Sequence, residues 1–193
     1  MSEANQLLEL QHLLMSGQPW GRLDVPGLLQ DPARIKAEFT RFLENGGRVM
    51  VPPKPSIDFD VDPFISEGWS IRPEDQIQSR LKGRWELLID KIKLYLDSSQ
   101  TGDKTVRGDK LKDLLEGQPV LPAHVLDYLL EHPDLIPESW KGKPIFFWGT
   151  IYCSSDGSLC VRCLYWDGGR WYWGNRWLDY VWFDYDPSAV CAS

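Results

Sequence analysis

The sequence predicts an α+β protein, helices followed by a C-terminal antiparallel sheet, and three observations predict it. Apolar residues recur at helical spacing over 109–116 and 122–131, the second with Val125, Leu126, Leu129 and Leu130 on one face. After Lys143 the apolar period changes from helical to two, the period of a strand. Residue usage changes at the same point: residues 144–193 contain no Lys, Glu, Gln, Met or His, yet carry six of the ten Trp.

In chain order, residues 4–15 place Leu7, Leu8, Leu10, Leu13, Leu14 and Met15 at helical spacings, predicting an amphipathic helix. A second starts with Asp31 as cap and Pro32 at its first position. It carries Ile35, Phe39, Phe42 and Leu43 on one face and ends at Gly46-Gly47. The stiff, Pro-rich segment 51–55 then suggests a linker, so residues 1–57 are expected as a helical arm and linker. Residues 58–193 are expected as an α+β ligand-binding domain. Asp58, Asp60 and Asp62 start like a calcium loop, but Pro63 stands where Gly is needed and Trp69 where a bidentate Glu is needed. A solvated acidic linker is expected there instead.

Residues 85–96 fit two patterns. Trp85, Leu88, Ile89, Ile92, Tyr95 and Leu96 suit a helix, while Ile92, Leu94 and Leu96 alternate as a strand would. A polar loop spans 102–108, and Arg107-Gly108-Asp109 is expected to open a helix. His132-Pro133 and Ile136-Pro137 stop the next one. Beyond it, 145–152 is a strand, Ser154-Ser155-Asp156-Gly157 a hairpin turn, 159–166 the return strand, and Asp167-Gly168-Gly169 a second turn. In the last long strand Trp171, Trp173, Asn175 and Trp177 share one face, with Tyr172, Gly174 and Arg176 on the other. The tail Trp are expected to fill the core on a single sheet face.

Composition narrows the function classes. The chain has 193 residues, a net charge of -7 and a pI near 5.0, which argues against sequence-independent nucleic-acid binding. No basic region followed by an apolar run marks residues 1–14, and no uninterrupted apolar stretch is long enough for a membrane span. The default expectation is a cytoplasmic protein with free thiols, surface display being left open. Cys160-Val161-Arg162-Cys163 has zinc-knuckle spacing, but an odd offset within a strand sends the two thiols to opposite faces. No nucleophile–base pair, phosphate loop or paired-carboxylate arrangement is apparent, so no catalysis, metal or cofactor is expected.

The residues interleaved with the Trp have no consistent polarity or size: Tyr172, Gly174, Asn175, Arg176, Tyr180, Val181, Phe183, Asp184, Tyr185 and Asp186. A core face or a solvated face would each have imposed one. Tyr, Gly, Asp, Ser and Asn beside fixed Trp make roughly the vocabulary of an antibody paratope. Each of these residue types is also reachable from the Asn codon AAC by changing its adenines, whereas Lys, Glu, Gln, Met and Trp are not.

Three runs carry a resemblance: residues 120–130, VLPAHVLDYLL; Ile136-Pro137-Glu138-Ser139-Trp140-Lys141-Gly142-Lys143; and Phe146-Phe147-Trp148-Gly149-Thr150-Ile151-Tyr152. With Asp62-Pro63-Phe64, Gly68-Trp69, Leu94-Tyr95-Leu96 and the tail framework from Leu164-Tyr165-Trp166 to Pro187-Ser188-Ala189-Val190, they resemble a family of small proteins from uncultivated bacteria. The tails of that family look like the variable regions of diversity-generating retroelements, in which a reverse transcriptase rewrites adenine positions. The resemblance covers roughly residues 60–193 and implies a C-type-lectin-like fold displaying a variable region over about 160–191. The chain departs from that fold's usual pattern in having no lectin calcium motif and no disulfide pair. It implies a non-catalytic ligand-binding protein whose partner is a protein or cell-surface molecule. The expected contacts are Asp167, Gly168, Gly169, Arg170, Tyr172, Gly174, Asn175, Arg176, Tyr180, Val181, Phe183, Asp184, Tyr185 and Asp186. Two alternatives stand beside it: an aromatic carbohydrate-binding module, which needs exposed coplanar indoles, and a structural or assembly subunit using the N-terminal helices.

Overall fold

In the computed structural model, the residues described are 56–78 and 80–192, with Thr40 alone from the preceding segment. The chain divides between Pro52 and Pro53, and the second unit is the one described below. The helices expected over 4–15 and 31–47 lie outside the described residues. The first described strand, β1 (Ser56–Asp58), pairs antiparallel with β2 (Arg84–Glu86).

A five-stranded sheet forms the middle of the domain, in the order β3 (Ile92–Tyr95), β9 (Ser188–Cys191), β5 (Ile145–Cys153), β6 (Leu159–Asp167), β7 (Arg170–Trp177). All its pairings are antiparallel except that of β5 with β9. The fold is mixed α+β with a mostly antiparallel sheet. The ambiguous segment 85–96 is thereby resolved. Ile92 and Leu94 pack into one core cluster while Tyr95 packs into another, because β3 pairs along β9 and period two sends its side chains to both faces.

Helix α1 (Gly108–Leu114) lies on one face, and helix α2 (Ala123–Glu131) on the other. Leu111 and Leu115 are buried with Phe146, Trp148, Ile151 and Val161. On the α2 side, Val125, Leu126 and Leu129 are buried with Ile145, Phe147 and Leu164. A short pair, β4 (Val106–Arg107) with β8 (Val181–Trp182), closes the α1 side. Strand β5 shifts register between Phe146 and Ile151, a bulge that moves Ile151 to the α1 face and Tyr152 to the α2 face. The backbone groups the bulge leaves over are satisfied by one side chain. Gln76 Nε2 donates to the Ile151 carbonyl and Gln76 Oε1 accepts from the Ile151 N–H, both at 2.8 Å.

Two expectations need correction. The tail Trp do not share a face. Trp148 and Trp182 are fully buried on the α1 side, whereas Trp171 and Trp173 pack half-buried on the α2 side, with Trp177 beside them against Trp69. The reason is topological, since these indoles come from different strands and the bulge in β5 changes the phase. Asp58, Asp60 and Asp62 face solvent, as expected, but they are not a free linker. Asp58 pairs with Arg84 at 3.2 Å, Asp62 pairs with Arg80 at 2.6 Å, and Asp60 accepts from the Gly83 N–H at 3.0 Å. They fasten the loop around the β1–β2 pair. Being exposed, these ion pairs position the loop more than they stabilise it.

Candidate functional site

The open part of the α1 face begins where α1 and β8 stop covering the sheet. The β6–β7 hairpin turns through Asp167 to Arg170, with Gly168 at φ 52° and Gly169 at φ 94°, the left-handed backbone that a two-residue turn needs. Its register sets Tyr165 directly opposite Tyr172, and the two rings stack at 5.8 Å with 21° between planes. Arg170 extends the stack, its guanidinium carbon 4.4 Å from the Tyr172 centroid, and its Nε donates to the Tyr172 hydroxyl. Next along β7, Gly174 lets the Tyr165 ring lie close over the strand. A Cβ there would meet the Tyr165 ring at 3.2 Å and Cys163 Sγ at 3.5 Å.

Beyond Gly174 the chain leaves β7 through residues 178–187. Phe183 and Tyr185 stack at 5.0 Å with 10° between planes, and Arg176 stands 5.7 Å from both the Phe183 and Trp182 rings. Tyr180, Val181 and Tyr185 are 56 %, 44 % and 51 % exposed, far above what a scaffold residue of that size needs. Asp167, Asp179 and Asp184 are exposed around them.

The fourteen expected contacts do not all lie here. Asp167, Gly168, Gly169, Arg170, Tyr172, Tyr180, Val181, Phe183, Asp184 and Tyr185 belong to the hairpin turn, the Tyr stack and the loop. Asp186 is a correction: its side chain is 1 % exposed, ion-paired with Arg176, and its Oδ2 accepts from the Phe183 N–H at 3.0 Å. Burial pushes its carboxyl above the ordinary range, against the pull of that N–H and Arg176. Asp186 is therefore a clasp inside the loop, and Arg176 is half committed to it. Gln100, fully buried, completes the clasp by donating to the Phe183 and Asp186 carbonyls at 2.9 and 3.2 Å. Asn175 is exposed but lies opposite Arg162 in the β6–β7 register, on the α2 side with the indoles and away from this surface.

Two features escaped the sequence analysis. Tyr165, 36 % exposed, joins the aromatic stack only through the hairpin register, and counting outward from the turn at 167–170 would have found it. The other is Arg162, whose side chain is 1 % exposed in the middle of an otherwise apolar strand. Its Nη1 pairs with Asp127 at 2.8 Å and donates to the Phe64 carbonyl at 3.2 Å, while Trp173 stands 4.6 Å from its guanidinium carbon. A lone Arg inside a buried strand was the available signal.

Cys160 and Cys163 fall in different core clusters on opposite faces, as their spacing requires, and burial pushes both thiols up to about 12. The indoles are not coplanar: within the tail Trp166 meets Trp171 at 68°, and Trp69, from outside it, meets Trp173 at 81°. Lys141 Nζ sits 3.7 Å over the Trp166 ring, so that face is occupied. Among the described residues no helix is long and apolar enough to cross a membrane.

No protein-family model, no curated protein and no solved structure matches this chain.

Proposed function

We propose that this is a non-catalytic binding protein whose ligand contacts are the β6–β7 turn, the Tyr165–Tyr172 stack and the loop 178–187, and that this surface is diversified by adenine-directed mutagenesis. The observation that carries the reading is the division of labour in the tail. Trp148 and Trp182 are fully buried, whereas Tyr180, Val181 and Tyr185 are about half exposed. Rigid aromatics with open faces are the residue types that dominate binding hot spots. Changing them costs the fold little, because surface substitutions usually shift stability by about 0.5 kcal/mol or less.

A C-type-lectin-like architecture belongs to the same proposal. In its favour are a first sheet strand, β3, paired antiparallel with the last, β9, and two helices between β3 and the hairpin strands that carry the surface. The carbohydrate-platform alternative is less favoured, because the tail indoles are tilted against one another and Trp148 and Trp182 are buried.

The test is the genomic DNA flanking the gene. A near-copy of the segment encoding residues 160–193, differing where the copy has adenine and lying beside a reverse-transcriptase gene, is the expected finding. With no such copy within the locus, the missing Lys and Glu are a compositional accident and the diversification proposal fails.

A further inference from the structure

Strand β7 ends the five-stranded sheet, and among the described residues no strand pairs with its outer side. We infer that a second copy of this chain pairs antiparallel with that edge, about a two-fold axis at Gly174, and joins two sheets into one.

The backbone directions come first. The Leu178 N–H donates to the Leu159 carbonyl at 2.8 Å. Antiparallel pairs alternate, so the β6–β7 register makes 161 with 176, 163 with 174, 165 with 172 and 167 with 170 the hydrogen-bonded ones. The N–H and C=O groups of Trp171, Trp173, Asn175 and Trp177 therefore point away from β6, toward the outer edge. That edge lacks the usual protections. It is eight residues long and holds neither Lys nor Pro, and its pairing with β6 runs from Cys160 to Asp167 without a bulge. The opposite edge, β3, has only four residues, and Lys93 is one of them.

Self-complementarity selects a second copy as the occupant. Residues directly opposite across two antiparallel strands share a face, so the axis sets one residue against its own copy. With Gly174 at the axis the strands overlap over 171–177. On the α2 side Trp171 then meets Trp177 of the second copy, and Trp173 meets its Asn175. On the α1 side Tyr172 meets Arg176 of the second copy, and Gly174 puts no side chain at the centre. The register also brings Arg170 to Leu178 of the second copy, next to the exposed Asp179, an opposite charge. Centring on Trp173 would set Arg170 against Arg176 of the second copy, a like-charge pair. Centring on Tyr172 or Asn175 shortens the overlap to 170–174 or 173–177.

An axis perpendicular to the sheet keeps both α1 faces on the same side. The two Tyr-rich surfaces would then stand side by side and grip a ligand that carries two sites bivalently. This consequence rests on the proposed function. The pairing itself does not, so the two are tested apart.

The experiment is sedimentation equilibrium of the full chain from about 1 to about 500 µM, with amide hydrogen exchange over the same range. A monomer–dimer equilibrium that stops at the dimer is expected, with a Kd of about 1–100 µM, as suits a small interface. Exchange at Trp171, Trp173, Asn175 and Trp177 should slow as concentration rises. The amides of Tyr172, Gly174 and Arg176, already bonded to β6, should not change. Asn175→Pro removes an outward N–H and no bond to β6, and should weaken the dimer by about tenfold or more. Asn175→Lys, which guards the edge with a charge at an exposed position, should also weaken it, with an unchanged melting temperature, and decides the matter if the Pro variant does not fold. A chain that stays monomeric throughout overturns the inference and leaves the edge to a strand of another protein. Open-ended growth beyond the dimer overturns it as well, as does a dimer that Asn175→Lys leaves intact.

Discussion

Gly108 opens α1 where the chain crosses the buried Trp182, and its missing side chain is what permits the crossing. A Cβ there would lie 2.7 Å from the Leu178 carbonyl oxygen and closer still to the Trp182 indole. Backbone cannot yield as a flexible side chain would, so Gly108→Ala should destabilise the fold by about 1–3 kcal/mol, read as a drop in melting temperature. His124 makes a second prediction. Its Nε2 lies 2.9 Å from the Val61 carbonyl, and burial, opposed by that contact, holds its pKa below the ordinary 6.5. The folded protein therefore binds this proton less tightly than the unfolded chain. Its contribution to stability is complete above pH 6.5 and is lost as pH falls through that value, levelling off once the folded His is itself protonated. The pH dependence of unfolding between pH 7 and 5 should be steeper in the wild type than in His124→Gln; equal slopes would refute this. The thiols of Cys160 and Cys163, pushed up to about 12, are almost wholly protonated at pH 8. Both should resist iodoacetamide in the native protein and react after denaturation, as peptide mass spectrometry would show.

At the scale of the element, β7 and the loop after it divide their residues between structure and display. Trp182 is fully buried against Phe146 at 4.3 Å and Trp148 at 4.6 Å, so Trp182→Ala should cost about 3–5 kcal/mol. Tyr180→Ser and Tyr185→Ser, a few residues away, should each change stability by about 0.5 kcal/mol or less. Chemical denaturation of the three variants measures both. Comparable losses at all three positions would mean that the loop is scaffold and not a display surface. The hairpins and α2 were legible from sequence because their signals are local: turn residues, period two, and a Pro stop after His132. The Asp186–Arg176 clasp was not. An Asp ten residues from an Arg in a loop of mixed polarity looks the same whether it is displayed or buried, and only the return of the loop onto Trp182 and Gln100 distinguishes the cases.

For the whole molecule, the sheet depends on its last strand. β9 lies between β3 and β5, so the five strands are contiguous only when residues 188–191 are in place. Deleting residues 188–193 should abolish cooperative unfolding, monitored by near-ultraviolet circular dichroism, while removal of a sheet edge would not. The two faces then follow from the layers. α2 and the segment 56–64 lie on one side, and α1 with β8 leaves the Tyr-rich end of the hairpin open on the other.

The sequence by itself determined the class of fold, both helices among the described residues and the two long hairpins. Each depends on neighbours within about ten positions, where periodicity and turn chemistry act directly. Tertiary structure alone decided which face each Trp occupies, that β9 inserts between β3 and β5, that Tyr165 joins Tyr172, and that Arg162 is buried with Nε unpaired. These depend on register across strands and on a bulge in β5, and a shift of one residue in either moves every following side chain to the other face.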